Sequence, residues 1–398
     1  MKKEWETQAL GDVLEVLRNG ANCKQDKKGL GQKITRIETI AQAEFNLDKV
    51  GYSKLKESDK AKYKIERGDI LFSHINSVIH VGKTALYNSD EELYHGINLL
   101  LMRPKDFLLP NYLEYFLKSL FISGYWRTVC KQSVNQASVN QQDIGKVAIH
   151  YPKSLPEQQR IVSVLDEAFA SIADAKSNAE RNLVNARELF EAVLEGYFGN
   201  GKDWEEKNLG EVLQKTETID PTKTPNKEYV YIDVSSVNKE NLSIEEVNLI
   251  KGKDAPSRAR KLIKTNDVIF ATVRPTLRRI AIVPEEYDNQ ICSTGYFVLR
   301  GKEFIDNRLI FYFLQTNDFM TKMEKLQKGA SYPAVTDGEV RDQIIHFPKS
   351  LAEQRAIVGR LEALSAETGR LEEIYEAKVE GLEELKKSVL GKAFAGEL

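Results

Sequence analysis

Trp5-Glu6-Thr7-Gln8-Ala9-Leu10-Gly11-Asp12-Val13-Leu14 decides the fold, because the same pattern returns as Trp204-Glu205-Glu206-Lys207-Asn208-Leu209-Gly210-Glu211-Val212-Leu213. Outward from this pair, further matches keep their order. Gly68-Asp69-Ile70-Leu71-Phe72-Ser73 answers to Asn266-Asp267-Val268-Ile269-Phe270-Ala271, and Tyr115-Phe116-Leu117 to Tyr312-Phe313-Leu314. Ile149-His150-Tyr151-Pro152-Lys153-Ser154-Leu155 answers to Ile345-His346-Phe347-Pro348-Lys349-Ser350-Leu351, and Val193-Leu194-Glu195-Gly196-Tyr197-Phe198 to Val389-Leu390-Gly391-Lys392-Ala393-Phe394. The offset drifts only from 199 to 196. Chance similarity does not preserve order and spacing together, so the chain is a duplication of one unit of roughly 200 residues.

Each unit has two textures. Its first 150 residues or so mix short β-rich runs with turn residues and one helix, at 112–120 or 309–314, which is an α+β pattern. Its last 42 or so residues lack interior proline and begin with an acidic first turn, Pro156-Glu157 or Ala352-Glu353, as a helix N-terminus favours. Val162, Leu165, Phe169, Ile172, Ala179, Leu183, Ala186, Phe190, Val193 and Tyr197 form a heptad stripe broken at Lys176. Leu361, Leu364, Leu371, Tyr375, Leu382, Leu385 and Val389 form a second, interrupted by Thr368 and Lys378. Helices of about 63 Å cannot bury such stripes on a small domain, so they are expected to bury them on each other. The expected fold class is therefore α+β, with two pseudo-twofold-related globular α/β domains at opposite ends of an antiparallel coiled coil. The boundaries read as 1–152 and 201–348 for the domains, 153–200 and 349–398 for the helices.

With 398 residues, 41% hydrophobic and 29% charged, the chain has the material for several packed cores. It offers no apolar run of membrane-spanning length and no signal-peptide core after Met1-Lys2-Lys3, so a cytoplasmic protein without a membrane partner is expected. Cys23, Cys130 and Cys292 include no CxxC pair, which argues against a disulfide framework or a zinc knuckle. Val81-Gly82-Lys83-Thr84 resembles the end of a phosphate-binding loop, but serine stands at position 77 where that loop needs glycine. The five histidines form no metal-binding pair, and His150 and His346 fall at equivalent, structural places in the repeat. No nucleophile elbow, methyl-donor loop or amino-methyltransferase motif is present, so no catalytic or metal residue is assigned.

Binding remains, and charge gives the lead. The net charge is only −2, yet 251–279 holds Lys251, Lys253, Arg258, Arg260, Lys261, Lys264, Arg274, Arg278 and Arg279 against Asp254 and Asp267. The equivalent window 53–81 is basic too, less strongly. Lysine and arginine neutralise phosphates, while Arg, Asn, Gln, Ser and Thr can read base edges. Such side chains follow the matched strand in both units: His74, Asn76, His80 and Lys83 in the first, Arg274, Thr276, Arg278 and Arg279 in the second. A second polar cluster precedes each long helix, 131–140 with Lys131, Gln132 and Asn135, and 328–336 with Lys328, Ser331 and Tyr332. With Arg258 and Arg260 these are the candidate DNA-contacting residues.

The duplicated Trp-x4-Leu-Gly-Asp/Glu-Val-Leu start, Cys292-Ser293-Thr294-Gly295-Tyr296, the repeated Glu157-Gln158-Gln159-Arg160-Ile161-Val162 and Glu353-Gln354-Arg355-Ala356-Ile357-Val358, and the terminal Lys392-Ala393-Phe394-Ala395-Gly396-Glu397-Leu398 together resemble the specificity subunit of type I restriction-modification enzymes. The resemblance runs over the whole chain. It implies two target recognition domains (1–152 and 201–348), each reading half of a bipartite site in double-stranded DNA. It also implies that 153–200 and 349–398 are conserved spacer helices that dock two methyltransferase subunits, with restriction subunits joining that core. Catalysis would belong to the partners, which would carry S-adenosylmethionine, ATP and Mg; none is expected in this chain. Because the two domains differ between their shared landmarks, an asymmetric target is expected. His95-Gly96-Ile97-Asn98 stands where the second unit has Cys292-Ser293-Thr294-Gly295, which leaves the local alignment open. A stand-alone enzyme has no motif in its favour, and a coiled-coil scaffold without DNA reading leaves the duplicated basic strand-loop regions without a purpose.

Overall fold

The structure, a computed structural model, describes residues 4–26, 29–134, 136–199 and 204–398. The chain divides into two compact units. The first comprises 1–179 with 377–398, the second 180–376. Both long helices exist, α1 over Leu155–Gly199 and α2 over Leu351–Ala395, and each contributes one part to each unit.

In the first unit the strand Trp5–Ala9 pairs antiparallel with Ala148–Pro152, so the segments that enter and leave the domain close its base. Above them lies an antiparallel sheet in the order Leu14–Asn19, Leu100–Pro104, Ile70–Phe72, Thr84–Leu86, covered by the helix Pro110–Ile122. The second unit repeats the plan. Glu205–Asn208 pairs with Ile344–Phe347, and Val268–Ala271 lies between Ile280–Ile282 and Tyr296–Leu299. The uncertain alignment resolves here. Tyr94 bridges Ile34 in parallel, as Ile291 bridges Tyr231, so His95 and Cys292 are equivalent, and both are fully buried. Gly96 has no room for a side chain, since a Cβ there would lie 2.1 Å from the Thr35 carbonyl oxygen.

Two buried polar devices recur at equivalent places. Asp69 accepts from Arg103 Nε and Nη2 at 2.7 and 2.8 Å, and Asp267 from Arg300 Nε and Nη2 at 2.7 Å each. Each aspartate also accepts a backbone N–H three residues back, at 2.8 Å, which a left-handed residue just before it permits, Gly68 in one unit and Asn266 in the other. The second device anchors the long helices. The Gln158 amide donates to the Phe107 and Pro152 carbonyls at 3.0 and 2.8 Å and accepts from Leu109 N–H at 2.8 Å. Gln354 makes the same three bonds, to Phe304, Pro348 and Asp306, at the same three lengths. Both glutamines are fully buried. Each fixes the first turn of its helix to two loops of its own domain.

Within each unit the two helices run antiparallel. In the first, Arg160 Nη2 donates to the Leu398 carbonyl and Lys176 pairs with Glu383. In the second, Arg187 reaches Glu372 and Glu376, at 2.7 and 3.1 Å. The breaks in the heptad stripes are answered locally: Lys176 by that ion pair, and buried Thr368 by donating to the Leu364 carbonyl one turn back, at 3.0 Å. Two stripe assignments are corrected. Leu385 is exposed, and Lys386 stands at the seam with its ammonium 5.1 Å from the centre of the Phe169 ring. Lys378 is exposed rather than interrupting the stripe, which passes through half-buried Val379. The helix ends are themselves core: Leu390 and Ala393 bury against the first domain, Leu194 and Phe198 against the second.

Replacing Gln158 by Leu leaves the Leu109 N–H and two carbonyls buried without partners, at a cost of about 2–4 kcal/mol. Hydrogen exchange should then speed up over the first turns of α1 and over 107–109, with the second unit unchanged. Gln354→Leu should give the mirror result.

Candidate nucleic-acid interface

In the second unit the two candidate clusters meet. Val273 bridges Ala334, Val335 N–H donates to the Thr272 carbonyl at 2.9 Å, and Arg274 N–H donates to the Pro333 carbonyl at 2.7 Å. Residues 328–334 form a loop closed at its neck, where Lys328 and Ala334 exchange both backbone hydrogen bonds at 2.9 Å. Arg274 lies on that loop. Its guanidinium carbon sits 4.8 Å from the centre of the Tyr332 ring, and Nη2 donates to the Ser331 carbonyl at 3.2 Å. Tyr332 is 71% exposed, and Arg274, Thr276, Ser331 and Lys328 are exposed around it.

The first unit builds its counterpart differently on the same backbone plan. Val139 N–H donates to the His74 carbonyl, as Val335 does to Thr272. The cluster before α1 is a hairpin, Lys131–Ser133 with Gln136–Ser138, and its second strand adds to Ile75–Asn76. Lys131 and Gln132 are exposed on it; Asn135 lies outside the described residues. At its tip Val134 is 93% exposed, a residue the polarity of the segment had hidden. Asn76 keeps its amide local, donating to Ser73 Oγ and accepting from Ser77 N–H.

Several candidate residues turn inward or use a donor within their own domain, where a fully exposed position is expected from the sequence. His74 is only 8% exposed; burial holds its imidazole neutral, with a pKa lowered to about 4. His80 is half-buried, its pKa lowered by burial and by Lys83, and its Nδ1 is enclosed without a hydrogen-bond partner. Lys83 donates to the Ala41 carbonyl at 2.6 Å, and Gly82 before it stands at φ +89° against the Trp126 ring, so this segment is a packed turn and not a phosphate loop. Arg278 donates to Asn317 Oδ1 at 2.5 Å and Arg279 to the Val234 carbonyl at 2.7 Å. Arg260 donates to the Ala259 carbonyl at 3.0 Å beside Asp220.

The basic window is accordingly no single patch. Lys261 pairs with Asp337 at 2.7 Å, Lys264 with Glu217 at 3.2 Å, and Asp267 inside the window belongs to Arg300. Lys251, Lys253, Arg258 and Arg274 remain exposed, with no ion pair to a described residue. Among the described residues no group of three or more His, Cys, Asp or Glu is placed to hold a metal, and no helix is long and apolar enough to cross a membrane.

The two copies of the duplicated domain thus share buried anchors and differ on one exposed strand-and-loop face. The profile described as "Type I restriction modification DNA specificity domain" matches residues 2–181 and again 201–380, and the chain belongs to that family. The chain is thus a specificity protein of a type I restriction-modification system, in a family that is non-catalytic. It is 32% identical, over all of its own length and 94% of the relative's, to a protein of Methanocaldococcus jannaschii assigned as the MjaX type I restriction enzyme specificity subunit. Its fold matches a chain from a structure concerned with complex assembly and conformational transition of the type I R-M system (TM-score 0.74, 18% identity, 100% of this chain and 99% of the other). It also matches the HsdS subunit of Thermoanaerobacter tengcongensis (TM-score 0.64, 18% identity, 100% and 98%).

The buried histidines set a pH dependence for the first unit alone. Unfolded, His74 titrates near its ordinary 6.5; folded, near 4. As pH falls from 6.5 toward 4 the unfolded chain takes up a proton that the folded one refuses, so stability present above 6.5 is lost over this range. His95, lowered to about 3 by burial, adds to the loss. The second unit holds only half-buried His346. His74→Thr, the residue at the equivalent position 272, should recover about 2 kcal/mol of the first unit's loss between pH 7 and 4, read by hydrogen exchange in the strand Ile70–Phe72.

Proposed function

We propose that each unit reads one half of an asymmetric, bipartite site in double-stranded DNA. In the first unit the face is the 131–138 hairpin with Asn76 beside it; in the second it is the 274–276 turn with the 328–334 loop. Carrying this reading is one observation: the same backbone position in two family-matched domains presents an exposed polar face, and apart from a lysine at the start of each cluster, Lys131 and Lys328, the side chains on it differ. Backbone sameness suits a common docking geometry, and side-chain difference suits two different half-site sequences. Arg258, Lys131 and Lys328 are exposed, which suits a phosphate contact, the last while it shares its charge with Glu339.

The long helices, in this proposal, are the spacer between recognition domains 1–152 and 201–348, and the surface on which two methyltransferase subunits dock, with restriction subunits joining them. S-adenosylmethionine, ATP and Mg are then the partners' cofactors, adenine N6 is the methylated atom, and the complex works on DNA in the cytoplasm. Methyl donor and nucleotide stay with the partners because the chain itself holds no methyl-donor or phosphate-binding motif.

Sequencing the modified adenines of the host genome with and without this gene tests the proposal. The expected result is one bipartite motif, with different halves and a fixed spacer, that vanishes with the gene. A continuous or palindromic motif, or no change in methylation, contradicts it.

A further inference from the structure

We infer that Arg274 reads a guanine in the half-site of the second unit, and that Tyr332 is the plate that orients it. The inference rests on the proposed DNA reading and goes a step further, to the base and the group that reads it.

Among the arginines of the basic window, Arg274 combines exposure with a ring contact. Arg260, Arg278 and Arg279 are half-buried and direct donors at atoms of their own domain, and Arg258 is exposed with no ring contact to a described residue; Arg274 is exposed, spends one donor on the Ser331 carbonyl and lies over Tyr332. Its guanidinium lies over a largely exposed aromatic ring, which fixes the plane of the fork and leaves the remaining N–H groups toward solvent. The backbone beneath is held at a cost. Arg274 and Arg278 are both left-handed, at φ +52° and +51°, on either side of the short Pro275–Leu277 turn, a conformation non-glycine residues seldom adopt. Tyr332 is held as firmly, in a loop closed by both hydrogen bonds of the Lys328–Ala334 pair and turned by Gly329 at φ +111°.

A planar fork can also meet a phosphate in bidentate fashion, a contact that positions the protein without reading sequence. A planar fork of fixed orientation matches the adjacent O6 and N7 acceptors of guanine in the major groove. The equivalent position in the first unit is Asn76, whose amide is used locally. The guanine requirement therefore belongs to one half-site only.

The test uses the specificity chain in complex with its methyltransferase subunits, selecting from a random duplex library. Wild type should select a bipartite motif. Arg274→Ala should lose the preference for one guanine in one half-site, with about a tenfold or larger loss on the cognate duplex. Replacing that guanine by 7-deazaguanine, which lacks the N7 acceptor, should weaken wild type several-fold and leave Arg274→Ala unaffected. Arg274→Gln keeps a polar side chain on the loop but presents one donor and one acceptor in place of two donors, so it should lose the same guanine; it guards against a folding defect in the alanine variant. Tyr332→Ala should weaken that discrimination while leaving the salt dependence unchanged, because the charge remains. An intact motif with evenly lowered affinity and a salt slope reduced by about one would make Arg274 a phosphate contact and overturn the inference. So would an unchanged motif and affinity. A wild-type complex that selects no motif would overturn the DNA reading of the chain, and this assignment with it.

Discussion

Everything in this chain is referred to two buried amides. Gln158 and Gln354 sit in the first turn of the two long helices, each bonded to a carbonyl at the end of its domain's last strand and to two residues of a neighbouring loop. A buried amide with all three partners rigidifies, and one without them is costly, so the angle between helix and domain is set on both sides by the same constraint. A stacked aromatic pair accompanies it in each unit, Phe107 on Tyr151 and Phe304 on Phe347, with centroids 6.0 and 6.1 Å apart. The exposed strand-and-loop face of each domain is thereby fixed relative to the helix segment that leaves it.

What the two units share is buried, and what distinguishes them is exposed. The aspartate–arginine pairs are desolvated and close to superimposable in their bond lengths. Such pairs add little net stability over apolar packing, but losing one partner is severe, which holds them in place once present. On the outer face the constraint is absent, and a three-stranded ribbon with an exposed valine at its tip replaces a closed loop with an arginine lying on a tyrosine. Divergence there leaves the scaffold intact.

The sequence made the scaffold legible because burial writes patterns that repeat. The offset of just under 200 residues predicted the duplication, and the interrupted heptads with acidic first turns at Pro156-Glu157 and Ala352-Glu353 predicted two long helices, which begin at Leu155 and Leu351. The resemblance rested on Glu-Gln-Gln-Arg and Glu-Gln-Arg words whose first glutamine proves to be the anchor. Candidate contacts were less legible. Lys261 and Lys264 read as free charge until Asp337 and Glu217 were brought to them from 76 and 47 residues away. His74 follows a buried strand and stays buried, although its residue type suits a DNA surface. Val134 escaped emphasis for the opposite reason: an apolar body at a loop tip reads as ordinary chain until its exposure is known.

If the scaffold and the reading face are separable in this way, one chimera tests it most directly. Residues 204–350 replace 4–154, so that both long helices follow a copy of the second domain, and the Gln158 anchor finds the partners that Gln354 has. Modified-base sequencing in cells carrying this chain is predicted to show a bipartite motif in which both halves carry the letters of the second half-site. A motif that keeps any letter of the first half-site, or that is no longer bipartite, would contradict the account.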